Sequence, residues 1–257
     1  MPMIEMTGVE KSLGGRKVLD GMSLSVEKGE TLVIIGGSGA GKSVSLKHIV
    51  GLLRPDVGHV AVNGMDITDG NPRVLDDIRR RIGFLFQSGA LLQSLTAGEN
   101  VALPLREHTD LAEPEIQALV REKLALVRLG EAEHVMPANL SGGMRKRVSL
   151  ARAIVRKPDI ILYDEPTAGL DPVVANTINE LIRNLQEKLG VTSVVVTHDM
   201  ESAYRIGDRI AMLYKGRILE VGTPARIRAS AHPVVRQFIR GETEGPLSEK
   251  IGEGSVT

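Results

Sequence analysis

The chain contains no cysteine and no tryptophan. Without cysteine there can be no disulfide, no zinc–thiolate site and no thiol nucleophile, and the absence fits a reducing compartment. Aromatic residues are scarce, three Phe and three Tyr in 257 residues, so Val, Ile, Leu, Met and Ala must fill the core. No run reaches the roughly 18 consecutive apolar residues expected of a membrane-spanning helix. The opening stretch, residues 1–15, has no basic end followed by a long apolar run, so a signal peptide is not expected. There is also no excess of either charge: Lys plus Arg and Asp plus Glu each number 32. That balance argues against a general nucleic-acid binder, which usually carries a basic excess. Any role at a membrane is therefore expected from its surface, through a partner.

What is present is a series of short Val- and Ile-rich runs, each closed by turn residues. They fall at Thr31–Ile35, Ile82–Phe86, Ile160–Tyr163 and Ser193–Thr197. Runs apolar on both faces read as strands buried in a parallel sheet. Helical patterns separate them, for example Val173–Leu189, and this alternation implies an α/β fold with crossovers. Met22–Val26 alternates polar and apolar residues. Ile210–Leu213 and Arg217–Val221 flank the turn Tyr214-Lys215-Gly216. Both are expected to form an antiparallel subdomain at the sheet edge. Between about Leu95 and Lys157 the texture is helical, with patterns at Pro114–Val127 and Gly143–Arg156. The expected organisation is a core of 1–87 and 158–240, an inserted helical lobe at 88–157, and a tail at 241–257. The tail, rich in Gly, Glu and Ser, is expected to be disordered or to order against a second chain.

Gly36-Gly37-Ser38-Gly39-Ala40-Gly41-Lys42-Ser43 fits the phosphate-binding pattern G-x-x-x-x-G-K-[ST], with a strand before it and the helix Val44–Leu53 after it. The glycines let backbone N–H groups wrap a phosphate, and the helix N-terminus adds partial positive charge at the same point. Lys42 can reach β- and γ-phosphates, and the Ser43 hydroxyl can bind Mg²⁺. The expected nucleotide contacts run from Gly36 to Val44, and the expected ligands are ATP and Mg²⁺. Asp164 and Glu165 close the Ile160–Tyr163 strand, the end where ligands gather in open α/β sheets. Asp164 is the candidate metal partner, and Glu165 is the candidate general base for an attacking water. Ser141-Gly142-Gly143 precedes a helix carrying Arg145, Lys146 and Arg147. A capping side chain with open amides is a second anion cradle, though a simple helix cap with a charged face would look the same.

The order P-loop, Gln87, Leu140-Ser141-Gly142-Gly143-Met144, Asp164-Glu165, His198 resembles the ABC-type ATPase family. Ser141 precedes Asp164 by 23 residues, a typical spacing there, and the likeness covers roughly residues 3–240. The resemblance implies that Gln87 touches Mg²⁺ or the attacking water and links core to lobe. It implies that Gly169-Leu170-Asp171 meets the other subunit and that His198 contacts the γ-phosphate. It further implies a head-to-tail pair of chains, each ATP held between one P-loop and the other chain's Ser141–Gly143. The resemblance departs at the adenine platform. No aromatic residue precedes Phe84; Leu13 lies near that position and Arg16 nearby, so base selectivity is expected to be weaker than in aromatic-bearing relatives.

Residues 85–91 (Leu-Phe-Gln-Ser-Gly-Ala-Leu), 100–109 (Asn-Val-Ala-Leu-Pro-Leu-Arg-Glu-His-Thr) and the Met ending of the signature are similar to the ATPases of Mla-type, MCE-associated phospholipid transporters. That likeness implies membrane permease subunits, an MCE-domain lipid-binding partner, a peripheral place on the cytoplasmic face of the inner membrane, and no nucleic-acid partner. The small and apolar residues Gly89–Leu92 with Leu95 suit a socket for a partner helix. An importer ATPase for amino acids or another polar solute would share the same core.

Overall fold

In the computed structural model, which describes residues 1–248, ten strands fall into two sheets. β1 (Ile4–Leu13), β2 (Arg16–Val26), β4 (Val57–Val62) and β5 (Met65–Asp66) form an antiparallel sheet in the order β2-β1-β4-β5. β3 (Thr31–Ile35), β6 (Ile82–Leu85), β7 (Ile160–Asp164), β8 (Thr192–Thr197), β9 (Arg209–Tyr214) and β10 (Arg217–Gly222) form the other, in the order β10-β9-β3-β8-β7-β6. Every pairing in this second sheet is parallel except β9 with β10.

The parallel strands are buried on both faces, and their residues alternate between two apolar layers. Leu32 and Ile34 of β3, Ile160 and Leu162 of β7, and Val194 and Val196 of β8 face the antiparallel sheet and α1 (Lys42–Ile49). Val33, Ile35, Ile161, Tyr163 and Val195 face the helices on the other side. This period of two explains why a continuous Val/Ile run is a strand here: both sides of the pleat need apolar cover.

Both segments expected to be antiparallel are so, and they fall in different sheets. Met22–Val26 is the end of the long β2 in the antiparallel sheet, whereas the 209–222 hairpin completes the parallel one. The two meet where Asp20 N–H donates to Gly216 O at 3.0 Å. α1 is shorter than expected. It stops at Ile49 because Gly51, at φ +67°, turns the chain, and the N–H groups of Leu52 and Leu53 both bond Lys47 O.

Residues 88–157 carry α3 (Ala97–His108), α4 (Glu113–Leu126) and α5 (Gly142–Ile154). Thr96 and Glu99 cap α3 reciprocally, each side chain meeting the other's backbone N–H at 3.2 and 2.7 Å. Val101, Leu105, Val120, Leu124, Val148 and Ile154 pack in the same apolar layer as Ile161 and Tyr163, so the lobe shares a core with the sheet. The remaining helices are α2 (Pro72–Arg80), α6 (Pro172–Leu189), α7 (Met200–Ile206), α8 (Pro224–Arg228) and α9 (Pro233–Arg240).

Of the expected tail, residues 241–248 fold back on their own chain. Tyr214 Oη donates to Pro246 O at 3.4 Å, and the buried Gln237 holds Leu247 N–H, Ser248 Oγ and Glu242 O. Residues 249–257 lie outside the described residues.

Candidate functional site

The loop between β3 and α1 is built so that only its backbone faces inward. A Cβ on Gly36 would lie 2.4 Å from Leu213 O, and one on Gly41, at φ +105°, would lie 2.8 Å from Leu19 Cδ2. Gly41 caps α1 with no side-chain hydrogen bond, and the first turn holds no acid. The first amides of α1 are thus unclaimed by any side chain, the condition for holding an anion at a helix start. Lys42 Nζ folds over the loop and donates to Gly36 O at 2.8 Å and Gly37 O at 3.2 Å. It lies 3.8 Å from Glu165 Oε1. Burial pushes the Lys42 ammonium below its usual range, opposed by Glu165 and Asp164. An ammonium held by two carbonyls and one carboxylate at 3.8 Å remains incompletely compensated for its burial, and a phosphate group would be a better partner.

Ser43 Oγ donates to Asp164 Oδ1 at 2.9 Å, which joins the end of β7 to the start of α1. Burial raises the Asp164 pKa, and the Ser43 bond opposes that rise. Glu165, next in sequence, is buried and sits at φ +48°, an uncommon conformation for a non-glycine residue that costs about 1 kcal/mol or more. That turn swings its carboxylate across to β8. There Oε2 accepts from Thr197 Oγ1 at 3.2 Å and lies 3.0 Å from His198 Nδ1.

A cleft of about 700 Å³ joins these groups. Its walls are Gly37, Ser38, Gly39, Gly41, Lys42, Ser43, Val44, Gln87, Glu165 and His198, with Arg16, Val18 and Phe238. Three expected contacts stand apart from it. Gly36 backs onto Leu213, Ala40 packs against the apolar layer under the antiparallel sheet, and Asp164 reaches the cleft only through Ser43. Leu13 is 40% exposed and does not line the cleft, whereas Arg16 does.

Ser141, Gly142 and Gly143 are not in this cleft at all. Ser141 caps α5, its Oγ accepting Met144 N–H at 3.2 Å. A Cβ on Gly143 would lie 2.3 Å from Val174 Cγ1, so close packing on α6 demands this glycine as much as open amides do. Asp171, expected to face a second subunit, caps α6 by accepting from Val173 and Val174 N–H at 3.0 and 3.1 Å.

Two residues escaped the sequence reading. Lys146 belongs to a triplet that resembles a charged helix face, yet it is buried. Its Nζ donates to Glu165 O at 3.0 Å and to Gln87 O, tying α5 to both cleft walls. Its place inside the amphipathic pattern of α5, three and four residues before the buried Ser149 and Leu150, was the only available hint. Phe238 is the other. No local pattern points a residue of α9 at the P-loop.

The socket expected at 89–95 is divided. Gly89 and Leu91 are buried, while Leu92 is 46% and Phe86 38% exposed. Phe86, Ala90 and Leu92 line a groove with Phe84, Leu103 and Pro104, between β6 and the helices of the lobe.

A glycine-lined phosphate cradle, a Ser–Asp pair and a buried Glu165 paired with the exposed His198 around one cleft define a P-loop nucleoside triphosphatase. The comparison with known proteins carries the class further. Residues 19–168 match the ABC transporter family. The chain is 43% identical over 255 residues to the probable ribonucleotide transport ATP-binding protein mkl of Mycobacterium tuberculosis, covering 98% of this chain and 71% of that one. It is 41% identical over 248 residues to the intermembrane phospholipid transport system ATP-binding protein MlaF of Haemophilus influenzae, covering 96% and 94%. A dimeric ATP-binding cassette solved in a post-hydrolysis state with ADP and Pi matches with a TM-score of 0.80 at 37% identity, over 86% of this chain and 99% of that one. The chain belongs to the ABC transporter family and is one of its ATPases.

Proposed function

We propose that this ABC ATPase powers phospholipid transport between envelope membranes. The observation that carries the reading is the nearly end-to-end match to a phospholipid-transport ATP-binding protein, 96% of this chain on 94% of that one. The ribonucleotide named for the mycobacterial relatives is the alternative cargo, and that match leaves more than a quarter of the relative uncovered.

At the nucleotide, backbone N–H groups of Gly37 to Ser43 and the Lys42 ammonium hold the phosphates. Lys42 exchanges its bonds to Gly36 O and Gly37 O for phosphate oxygens. Ser43 and Asp164 offer two hard oxygens 2.9 Å apart, a donor pair suited to Mg²⁺. Among the described residues no three His, Asp or Glu side chains converge on a metal site, so the ion's other oxygens would be those of the nucleotide, of Gln87 and of water. Bound there, Mg²⁺ would neutralise charge developing on the phosphates. Glu165 is the base that takes a proton from the attacking water, held in place by Thr197 and His198. Its backbone turn and the bond from Lys146 fix the carboxylate before substrate arrives, which is positioning of the kind catalysis requires.

The Ser141–Gly143 cradle acts in trans. It does not reach its own chain's cleft, and two helix N-termini cannot approach one γ-phosphate from the same side. A second copy, head to tail, brings its cradle to the open side of the nucleotide. ATP then bridges the two chains, and hydrolysis removes the bridging charge and releases them. No helix among the described residues is long and apolar enough to cross a membrane. Coupling to transport passes through integral-membrane permease subunits, with this chain peripheral on the cytoplasmic face of the inner membrane. A permease helix would seat in the groove of Phe84, Phe86, Ala90 and Leu92, directly beside Gln87. An MCE-domain lipid-binding protein completes the assembly.

The test is to isolate the tagged chain with its partners from native membranes in detergent and identify the bound proteins and lipids by mass spectrometry. A multi-spanning permease with an MCE-domain protein and phospholipid is the expected result. A permease with a soluble solute-binding protein, or with bound nucleotides as cargo, would overturn the lipid reading and leave the ATPase intact.

A further inference from the structure

The sequence offers no aromatic platform for the base at the N-terminal strands, and in the structure one ring from the other end of the chain lines the cleft. The chain has three Phe and three Tyr, and five of these rings are committed away from the cleft. Tyr163 is wholly buried in β7. Phe84 and Phe86 stack on each other, centroids 4.2 Å apart, in the groove beside the lobe. Tyr204 lies under the Arg228 guanidinium at 4.1 Å. Tyr214 lies under Lys215 and donates to Pro246 O. The sixth ring, Phe238, lines the nucleotide cleft, together with Arg16 and Val18 of β2.

The geometry of α9 holds that ring in place. Val234 and Val235 are buried in the apolar layer below, and Phe238 packs partly against the same layer. Gln237, only 3% exposed, is clamped by three hydrogen bonds to the returning segment: Nε2 to Glu242 O at 3.2 Å, Nε2 to Ser248 Oγ at 2.8 Å, and Leu247 N–H to Oε1 at 2.7 Å. With its neighbours fixed on both sides, the helix cannot roll, and Phe238 keeps one edge in the core and the rest toward the cleft. The P-loop sets where the phosphates lie. The base must then extend away from Lys42 and Ser43 along the remaining wall, and that wall is Phe238, Val18 and Arg16.

We propose that Phe238 is the base platform of this ATPase, supplied by the C-terminal helix of the same chain and faced by Val18 and Arg16. The inference rests on the nucleotide reading of the cleft and adds the residue that recognises the base. An aromatic ring accepts the π-face of any base, and the Arg16 guanidinium can stack or donate on the opposite side. The last helix thereby becomes part of the nucleotide site rather than an appendage. Stacking that tolerates any base adds affinity rather than selectivity, so the weaker base selectivity expected from the missing N-terminal aromatic is untouched.

The test compares binding of Mg–ATP and Mg–tripolyphosphate to the full chain, wild type, F238A and F238W. Removing the ring should weaken ATP about 5- to 150-fold, since stacking of one base is worth ~1–3 kcal/mol. Tripolyphosphate affinity should stay within about twofold, because the phosphate cradle is untouched and reports that the chain is folded. The wild-type chain has no tryptophan, so F238W carries a single indole. It should keep ATP affinity, and ATP but not tripolyphosphate should change its emission. Equal loss of both ligands in F238A, unchanged ATP affinity, or an indole blind to ATP would each overturn the proposal. A wild-type chain that binds neither ligand would overturn the nucleotide reading together with it.

Discussion

The two helix N-termini that can hold an anion, at Gly41 and at Ser141, are built to different degrees of completion. At Gly41 no side chain claims the first amides of α1, the Lys42 ammonium folds over the loop onto Gly36 O and Gly37 O, Ser43 bonds Asp164, and Glu165 lies 3.8 Å from the ammonium. At Ser141 the hydroxyl takes one amide, and Arg145 turns back to Leu140 O instead of facing the cradle. None of Ser141, Gly142 and Gly143 lines the first cleft. The first site can hold a triphosphate alone. The second offers little charge, and can only close over a phosphate already held. On the proposed reading, that asymmetry makes ATP a bridge between two chains rather than a ligand of one.

The comparison is broken most strongly at Glu165. E165Q keeps the shape and removes the base, so single-turnover hydrolysis should slow about 10²- to 10⁴-fold, roughly 3–5 kcal/mol of barrier. ATP binding should persist, and undiminished turnover would remove Glu165 from the role of base.

Next in size is the difference between the cradles themselves. K42A should lose ATP affinity by about 10- to 150-fold, the worth of a charged hydrogen bond of ~1.5–3 kcal/mol. S141R should leave ATP binding to a single chain unchanged while abolishing hydrolysis. Mixing the two inactive chains pairs the intact P-loop of one with the intact Ser141–Gly143 of the other. Steady-state ATPase assays of the mixture should recover activity that neither variant has, whereas a dead mixture would mean the site is complete within one chain.

A smaller effect separates packing from ligand binding at Gly143. A Cβ there would meet Val174 Cγ1 at 2.3 Å, so G143A should destabilise the chain by about 1–3 kcal/mol in urea unfolding. Adding V174A should restore most of that loss; no rescue would place the strain elsewhere.

The smallest effect concerns Asp164. Burial holds its native pKa above the unfolded value of 3.8, so its contribution to stability is full below pH 3.8 and is lost as pH rises through the native pKa. At neutral pH the carboxylate is a liability retained for its chemistry. In nucleotide-free chain with chelator present, D164N should melt at higher temperature than wild type at pH 7, and the gap should close toward pH 4. A melting temperature at or below wild type at pH 7 would contradict the sign.

Much of the fold was legible because both-face burial leaves continuous apolar runs, as at Ile160–Tyr163 and Ser193–Thr197. β1 was not, although Ile4, Met6 and Val9 are buried, because register shifts between Met6 and Lys11 break its period of two. α3 was hidden by Pro104 within it. At the site, the motif residues were legible because each must present a fixed atom type at a fixed place. Gly36-x-x-x-x-Gly41-Lys42-Ser43 cannot be met by composition alone. Lys146 and Phe238 carry no such pattern, and their chemistry depends on neighbours 19 and more residues away.

The sequence by itself determined the parallel strands, the phosphate loop, the Asp164–Glu165 pair and the second cradle, since these rest on local periodicity and on backbone geometry that only glycine and short polar side chains allow. Only the tertiary structure decided that the two cradles lie apart, that Lys146 joins Gln87 to Glu165, and that the last helix brings a ring to the nucleotide cleft. These are consequences of which faces of α5 and α9 are buried on the sheet, and burial is settled by the packing of the whole chain.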